Sequence, residues 1–216
     1  EAEWIRRTGI PGIGGWFTNK EISGGGPVLD LVHMLDLSLY FMGYKEPEWV
    51  LASTFDDFMG NPDYKGPWGI PDVSGGITNV ESASHAFIRF SDGSCLYSRA
   101  SWAEMIEREV AGVTLQGKKA GARLERLFGI DGIDETAIDS LKLFVNEDHV
   151  QKTIKVEFEK DEAMGRIRMA SNFIEAVEGK TNPKSKPEEA IKLMKIVDAL
   201  YESASSGKPV LIKKEK

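Results

Sequence analysis

"NVESASHAFIRFSDGSCLYSRASWAE", residues 79–104, alternates apolar and polar side chains on both sides of Ser91-Asp92-Gly93. Alternation sends successive side chains to opposite faces of an extended chain, and Asp-Gly suits a tight reversal, so the stretch predicts an antiparallel hairpin with one buried face. Two more segments repeat the design: "EVAGVTLQGKKAGARLE" (109–125) around Gly117-Lys118, and "SLKLFVNEDHVQKTIKVEF" (140–158) around Asn146-Glu147-Asp148. The three hairpins give an antiparallel meander of about six strands, one face of which must be covered or paired, and "EWVLASTFD" (48–56) reads as a separate strand before them. A further short strand is expected at Trp16-Phe17-Thr18, inside the glycine-rich run 9–26.

Helical spacing replaces alternation at the end of the chain. "EAMGRIRMASNFIEAVEG" (162–179) sets Ile167, Phe173, Ile174 and Val177 on one side. "KPEEAIKLMKIVDALYESASSG" (186–207) does the same with Ile191, Met194, Ile196, Val197, Leu200 and Tyr201, and both end on glycine. The fold class is therefore α+β: a large, predominantly antiparallel β-sheet with helices packed on one face. No composition shift or repeat divides the chain, so residues 1–216 read as one domain. An opening without Met, on a polar segment, is expected of a piece of a longer protein, although N-terminal processing would look similar.

Of 216 residues 41% are hydrophobic, enough for a substantial core, and the formal net charge is -7 with scattered Lys and Arg. A surface for nucleic acid or an anionic membrane needs clustered cations, so neither is an expected partner. One cysteine, Cys95, excludes an internal disulfide framework and fits a reducing, cytoplasmic setting. No apolar stretch is long enough to span a bilayer as a helix.

The chemistry-bearing stretch is "GGGPVLDLVHMLDLSLYFMG", residues 24–43, a glycine triplet running into an apolar helix with Pro27 at its first position and Gly43 at its end. Asp30, His33 and Asp36 recur every three residues and share a stripe of about 120° on that helix. Ionised groups are costly to bury, so the stripe must face a polar cleft, a partner charge, a metal or solvent. His33 and Asp36 could satisfy each other at this spacing; alternatively a neutral imidazole near the helix start, beside Asp30, can take a proton from a substrate brought close by the glycines. A metal held by Asp30, His33 and Asp36 would need further ligands from elsewhere. No G-x-G-x-x-G fingerprint follows a strand, so no dinucleotide cradle is expected in this chain.

The glycine triplet, Asp30, His33 and Leu35-Asp36, with the hairpin 81–102 and the closing segments from Asn172 onward, resemble the C-terminal domain of the glucose-fructose oxidoreductase / inositol dehydrogenase (Gfo/Idh/MocA) family. The resemblance implies substrate-binding and oligomerisation, as a homodimer or homotetramer, for an NAD(P)-dependent oxidoreductase. The substrate would be a sugar, cyclitol or related polyol, and NAD or NADP would sit mainly in an N-terminal Rossmann domain absent from this chain. It makes His33 the general acid/base and Asp30 the residue that orients the imidazole or the substrate. Trp16, Thr18, Lys20 and Trp102 join Asp30 and His33 as expected substrate contacts, with an anchoring role for Trp16, a solvated Lys20 and a packing role for Trp102 as the alternatives of at least equal weight. The family's catalytic lysine motif is missing here, so the fragment alone should be inactive. Family members place the histidine four residues after the aspartate; here Asp30 and His33 are three apart. Rival readings are a non-catalytic binding or assembly module on the same fold, or a metal-dependent lyase or hydrolase.

Overall fold

A computed structural model describes residues 1–128, 138–159, 161 and 163–213. In chain order its elements are β1 (Ala2–Ile5), α1 (Lys20–Ser23), α2 (Pro27–Asp30), α3 (His33–Phe41), β2 (Pro47–Phe55), β3 (Ala83–Phe90), β4 (Cys95–Ser101), β5 (Val110–Gln116), β6 (Ala120–Leu127), β7 (Ile138–Glu147), β8 (Val150–Lys155), α4 (Arg166–Val177), α5 (Pro187–Ser206) and β9 (Val210–Leu211). The three hairpins form as their alternation requires. Phe87 stands opposite Tyr97 across the first, Val113 opposite Leu124 across the second and Phe144 opposite Thr153 across the third. The tip of the last hairpin is Asp148-His149, both at positive φ.

Among the described residues the sheet has nine strands, in the order β8-β7-β6-β5-β1-β4-β3-β2-β9. More strands form than the hairpins alone predict, because β1 and β9 come from segments too short to show a period. β1 is the decisive addition. It pairs parallel to β4 and antiparallel to β5, joining two meanders into one sheet, with Ala2 and Ile5 buried. Trp16–Thr18, expected as a strand, is instead a 3-10 turn, since its glycine-rich surroundings supply no partner strand.

The main core lies where α3 and α5 cover β2 to β4, with Leu39, Val50, Ile88, Phe90, Ile196, Val197 and Leu200 at its centre. Ser203 of α5 is fully buried there because its hydroxyl accepts from Ala52 N–H at 2.9 Å and donates to the Lys208 carbonyl at 2.7 Å. This replaces a pairing that the two-residue β9 is too short to provide along β2. The expected face of α5 is buried at Ile196, Val197 and Leu200, but Leu193 takes the place of Ile191 and Met194, which are exposed. A second cluster gathers Ile10, Leu31, Val80 and Trp102 beneath the first loops. Cys95 lies exposed at the start of β4. No helix among the described residues is long and apolar enough to cross a membrane.

Candidate functional site

The single helix expected from Pro27 to Gly43 is two helices. Leu31 ends α2 with φ -104° and ψ 18°, and His33 is the first residue of α3. Each half keeps its own hydrogen bonds, Leu31 N–H to the Pro27 carbonyl and Asp36 N–H to the Val32 carbonyl. The break absorbs the short Asp30-to-His33 spacing by rotating the two side chains apart.

Asp30 turns towards the end of β1. Its Oδ2 accepts from Arg6 Nη1 at 3.0 Å and from Trp102 Nε1 at 2.8 Å. Arg6 also donates through Nε to Glu109 Oε1 at 3.3 Å, and the same oxygen accepts from Trp4 Nε1 at 2.7 Å. The guanidinium stacks against two rings, 5.3 Å from the Trp4 centroid and 4.6 Å from that of Trp68. One cation thus sits between two carboxylates, and two indole N–H groups complete the chain of bonds. With Arg6 and Glu109 side chains 12% and 6% exposed, water weakens these bonds little.

His33 stays outside this network. Its ring is exposed and stands 6.1 Å from the Trp4 ring, centroid to centroid. Among the described residues no hydrogen bond or ion pair engages either ring nitrogen, so the imidazole is available to a ligand. Asp36 is engaged elsewhere, accepting from Tyr44 Oη at 2.9 Å. Mutual satisfaction of His33 and Asp36 is therefore not what the structure shows. Nor does Asp30 hydrogen-bond to His33. Among the described residues no three His, Cys, Asp or Glu side chains come together as a metal site.

The remaining predicted contacts separate into buried and open groups. Thr18 is fully buried, its hydroxyl shared between the Gly15 and Ile77 carbonyls at 3.3 and 3.0 Å, so it secures the loop and cannot also meet a substrate. Trp102 is fully buried too, and its N–H is committed to Asp30, which makes it a support for that carboxylate. Trp16 is exposed and packs edge-on to Phe17. Lys20 lies over the Tyr201 ring at 5.3 Å.

The glycine triplet has a structural cause. A Cβ on Gly25 would lie 1.9 Å from Tyr201 Oη, and one on Gly26 would lie 2.3 Å from the Glu81 carbonyl. Close packing against the protein, rather than the expected approach of substrate, requires glycine at both. Glu81 Oε1 accepts from Gly26 N–H (3.0 Å), Val28 N–H (3.2 Å) and Tyr201 Oη (2.9 Å), holding α2 to α5. Burial raises the Glu81 carboxyl above its ordinary value, and burial together with that neighbouring carboxylate raises the Tyr201 phenol. Arg6, Glu81 and Glu109 were missed from sequence because each is isolated from its partners along the chain. The one available signal was a set of charged residues flanking apolar strands.

Residues 7–212 match the family described as "Oxidoreductase family, C-terminal alpha/beta domain". The chain belongs to this family, Gfo/Idh/MocA. It is 31% identical over 208 residues to D-glucoside 3-dehydrogenase of Escherichia coli (strain K12), a match covering 95% of this chain and 54% of that protein. Solved structures repeat the fold. Levoglucosan dehydrogenase in complex with NADH and levoglucosan gives a TM-score of 0.69 at 18% identity, covering 99% of this chain and 58% of that one. Aldose-aldose oxidoreductase from Caulobacter crescentus, complexed with glycerol, gives 0.65 at 16% identity, covering 97% and 54%. The chain thus spans about half the length of the family relatives it matches.

Proposed function

We propose that this chain is the substrate-facing domain of an NAD(P)-dependent oxidoreductase that acts on a hydroxyl of a sugar, with glycosides the favoured class. The exposed, unbonded imidazole of His33 at the start of α3 carries the reading. Similarity to a glucoside dehydrogenase along nearly the whole chain supports the glycoside. Among the described residues the one parallel strand pair is β1 with β4, not a strand-helix-strand cradle, so the dinucleotide would be held by a preceding domain outside this chain. What these residues offer a nicotinamide ring is the open side of His33.

When bound, that ring supplies the hydride acceptor for the carbinol C–H pair. His33 takes the proton of the same hydroxyl as the carbonyl forms, and returns it in the reverse direction. Asp30, pinned by Arg6 and Trp102, does not touch the imidazole and acts by fixing the segment that leads into His33. The open face of the sheet carries Leu51, Phe55, Phe87 and Tyr97, all substantially exposed, which supports assembly as a homodimer or homotetramer. In the full-length protein His33→Ala is expected to lower kcat by about 10²-fold or more, measured by reduction of the nicotinamide. Turnover within about twofold of native would instead make the chain a binding or assembly module.

A further inference from the structure

Immediately beside His33 lies a cavity of about 400 Å³ on the helix-bearing side of β5, β6 and β7, which the proton chemistry does not use. Met34, the next residue along α3, lines it together with Trp4, Leu124, Phe128 and Phe158. Trp4 and Phe128 lie nearly parallel, 18° between planes and 6.3 Å between centroids, and Trp4 is also the ring that faces His33. A ligand at the imidazole that extends past Trp4 enters this space.

The wall chemistry selects the occupant. Its polar groups are already paired: Trp4 Nε1 donates to Glu109, and Arg126 at the rim donates to both oxygens of Asp139, at 2.7 and 2.8 Å. The Arg126 guanidinium also caps Phe128, 5.7 Å above the ring. A second sugar ring would bring several hydroxyls that lose water and meet committed partners, a cost that rings and aliphatic carbons do not incur. Apolar side chains with a few fixed polar groups, at this volume, suit a ring-bearing apolar ligand.

The geometry points to an aglycone subsite: while the glycosyl ring reacts at His33, the cavity between Trp4, Leu124, Phe128 and Phe158 takes an aromatic or similarly ring-bearing apolar aglycone. This rests on the glycoside reading above. Contacts that a preformed cavity makes equally in the ground and transition states act through KM.

The test uses the full-length protein with phenyl and methyl D-glucopyranosides of one anomeric configuration. Phenyl glucoside is expected to exceed methyl glucoside in kcat/KM by about tenfold, mainly through KM. Leu124→Trp, which fills the cavity, is expected to bring the ratio close to one. Phe158→Ala, on an exposed segment where the fold tolerates change, should lower it about threefold. The ratio within each variant is the readout, so a general loss of folded protein does not mimic the result. Equal use of the two glucosides by the native protein, or a ratio unmoved by both variants, overturns the subsite. A cellobiose preference over phenyl glucoside overturns the apolar occupant. If neither glucoside is oxidised, the parent reading fails and calorimetry decides the cavity separately. Phenyl glucoside binding weakened by Leu124→Trp supports it, and binding that is absent or unchanged overturns it.

Discussion

The two long helices differ in what they bury. α5 places Leu193, Ile196, Val197, Ala199 and Leu200 in the core, whereas α4 buries none of its residues and leaves Ile167, Phe173, Ile174 and Val177 more than half exposed. The same contrast divides the sheet: β3 buries Ala86, Ile88 and Phe90, while every residue of β8 is exposed. An amphipathic period states that a face needs a partner; it does not say which surface provides one. In this chain the partner exists for α5, across β2, and the described residues supply none for α4.

The largest effect expected from that contrast is on stability. In this chain Leu200→Ala should cost about 2–5 kcal/mol by leaving a cavity in the core, while Ile174→Ala should stay within about 0.5 kcal/mol. Urea titration measures both, and comparable losses would erase the distinction between the helices. Charge should follow the same division on a smaller scale. Arg6→Met leaves Asp30 and Glu109 without their shared cation and should cost about 2 kcal/mol, discounted because the Asp30 side chain is 31% exposed. Lys152→Met breaks a pair with Glu147 whose side chains are 50% and 55% exposed, and should change stability by less than about 0.5 kcal/mol.

A pH series sharpens the comparison with the smallest signal. Burial raises the Glu81 carboxyl, so the folded chain holds that proton more tightly than the unfolded chain does. The resulting stabilisation is complete below the ordinary carboxyl range and is lost as pH rises through the raised folded value. Relative to Glu81→Gln, whose amide stays neutral, the native Tm should therefore fall as pH rises above the ordinary carboxyl range. A difference that stays flat, or grows in favour of the native chain as pH rises, would contradict the placement of Glu81.

Much of the architecture was legible because its signals are local. The alternation around Ser91-Asp92-Gly93 specifies a hairpin within a few residues, and Pro27 and Gly43 mark the limits of the helical region. β1 was not legible. Four residues carry too little period to be read, and their place between β4 and β5 depends on strands about 100 residues away. His33 could be picked out because an ionisable residue on an apolar helix is conspicuous. Thr18 was expected at the substrate but is buried, and for Trp102 burial favours the packing alternative; burial is a property of what packs against a residue, which nearby sequence does not state.

Alternation, helical spacing and turn chemistry by themselves determined that this is an α+β chain with an antiparallel sheet, and they marked Asp30, His33 and Asp36 as ionisable residues on one stripe of an apolar helix. Only the tertiary structure decided that the helix breaks between the first two, that Asp30 turns to Arg6 and Trp102, and that His33 is left open beside a cavity. The physical reason is range: backbone preferences act over a few residues, whereas the direction of a carboxylate depends on the donors that distant segments bring within about 3 Å of it.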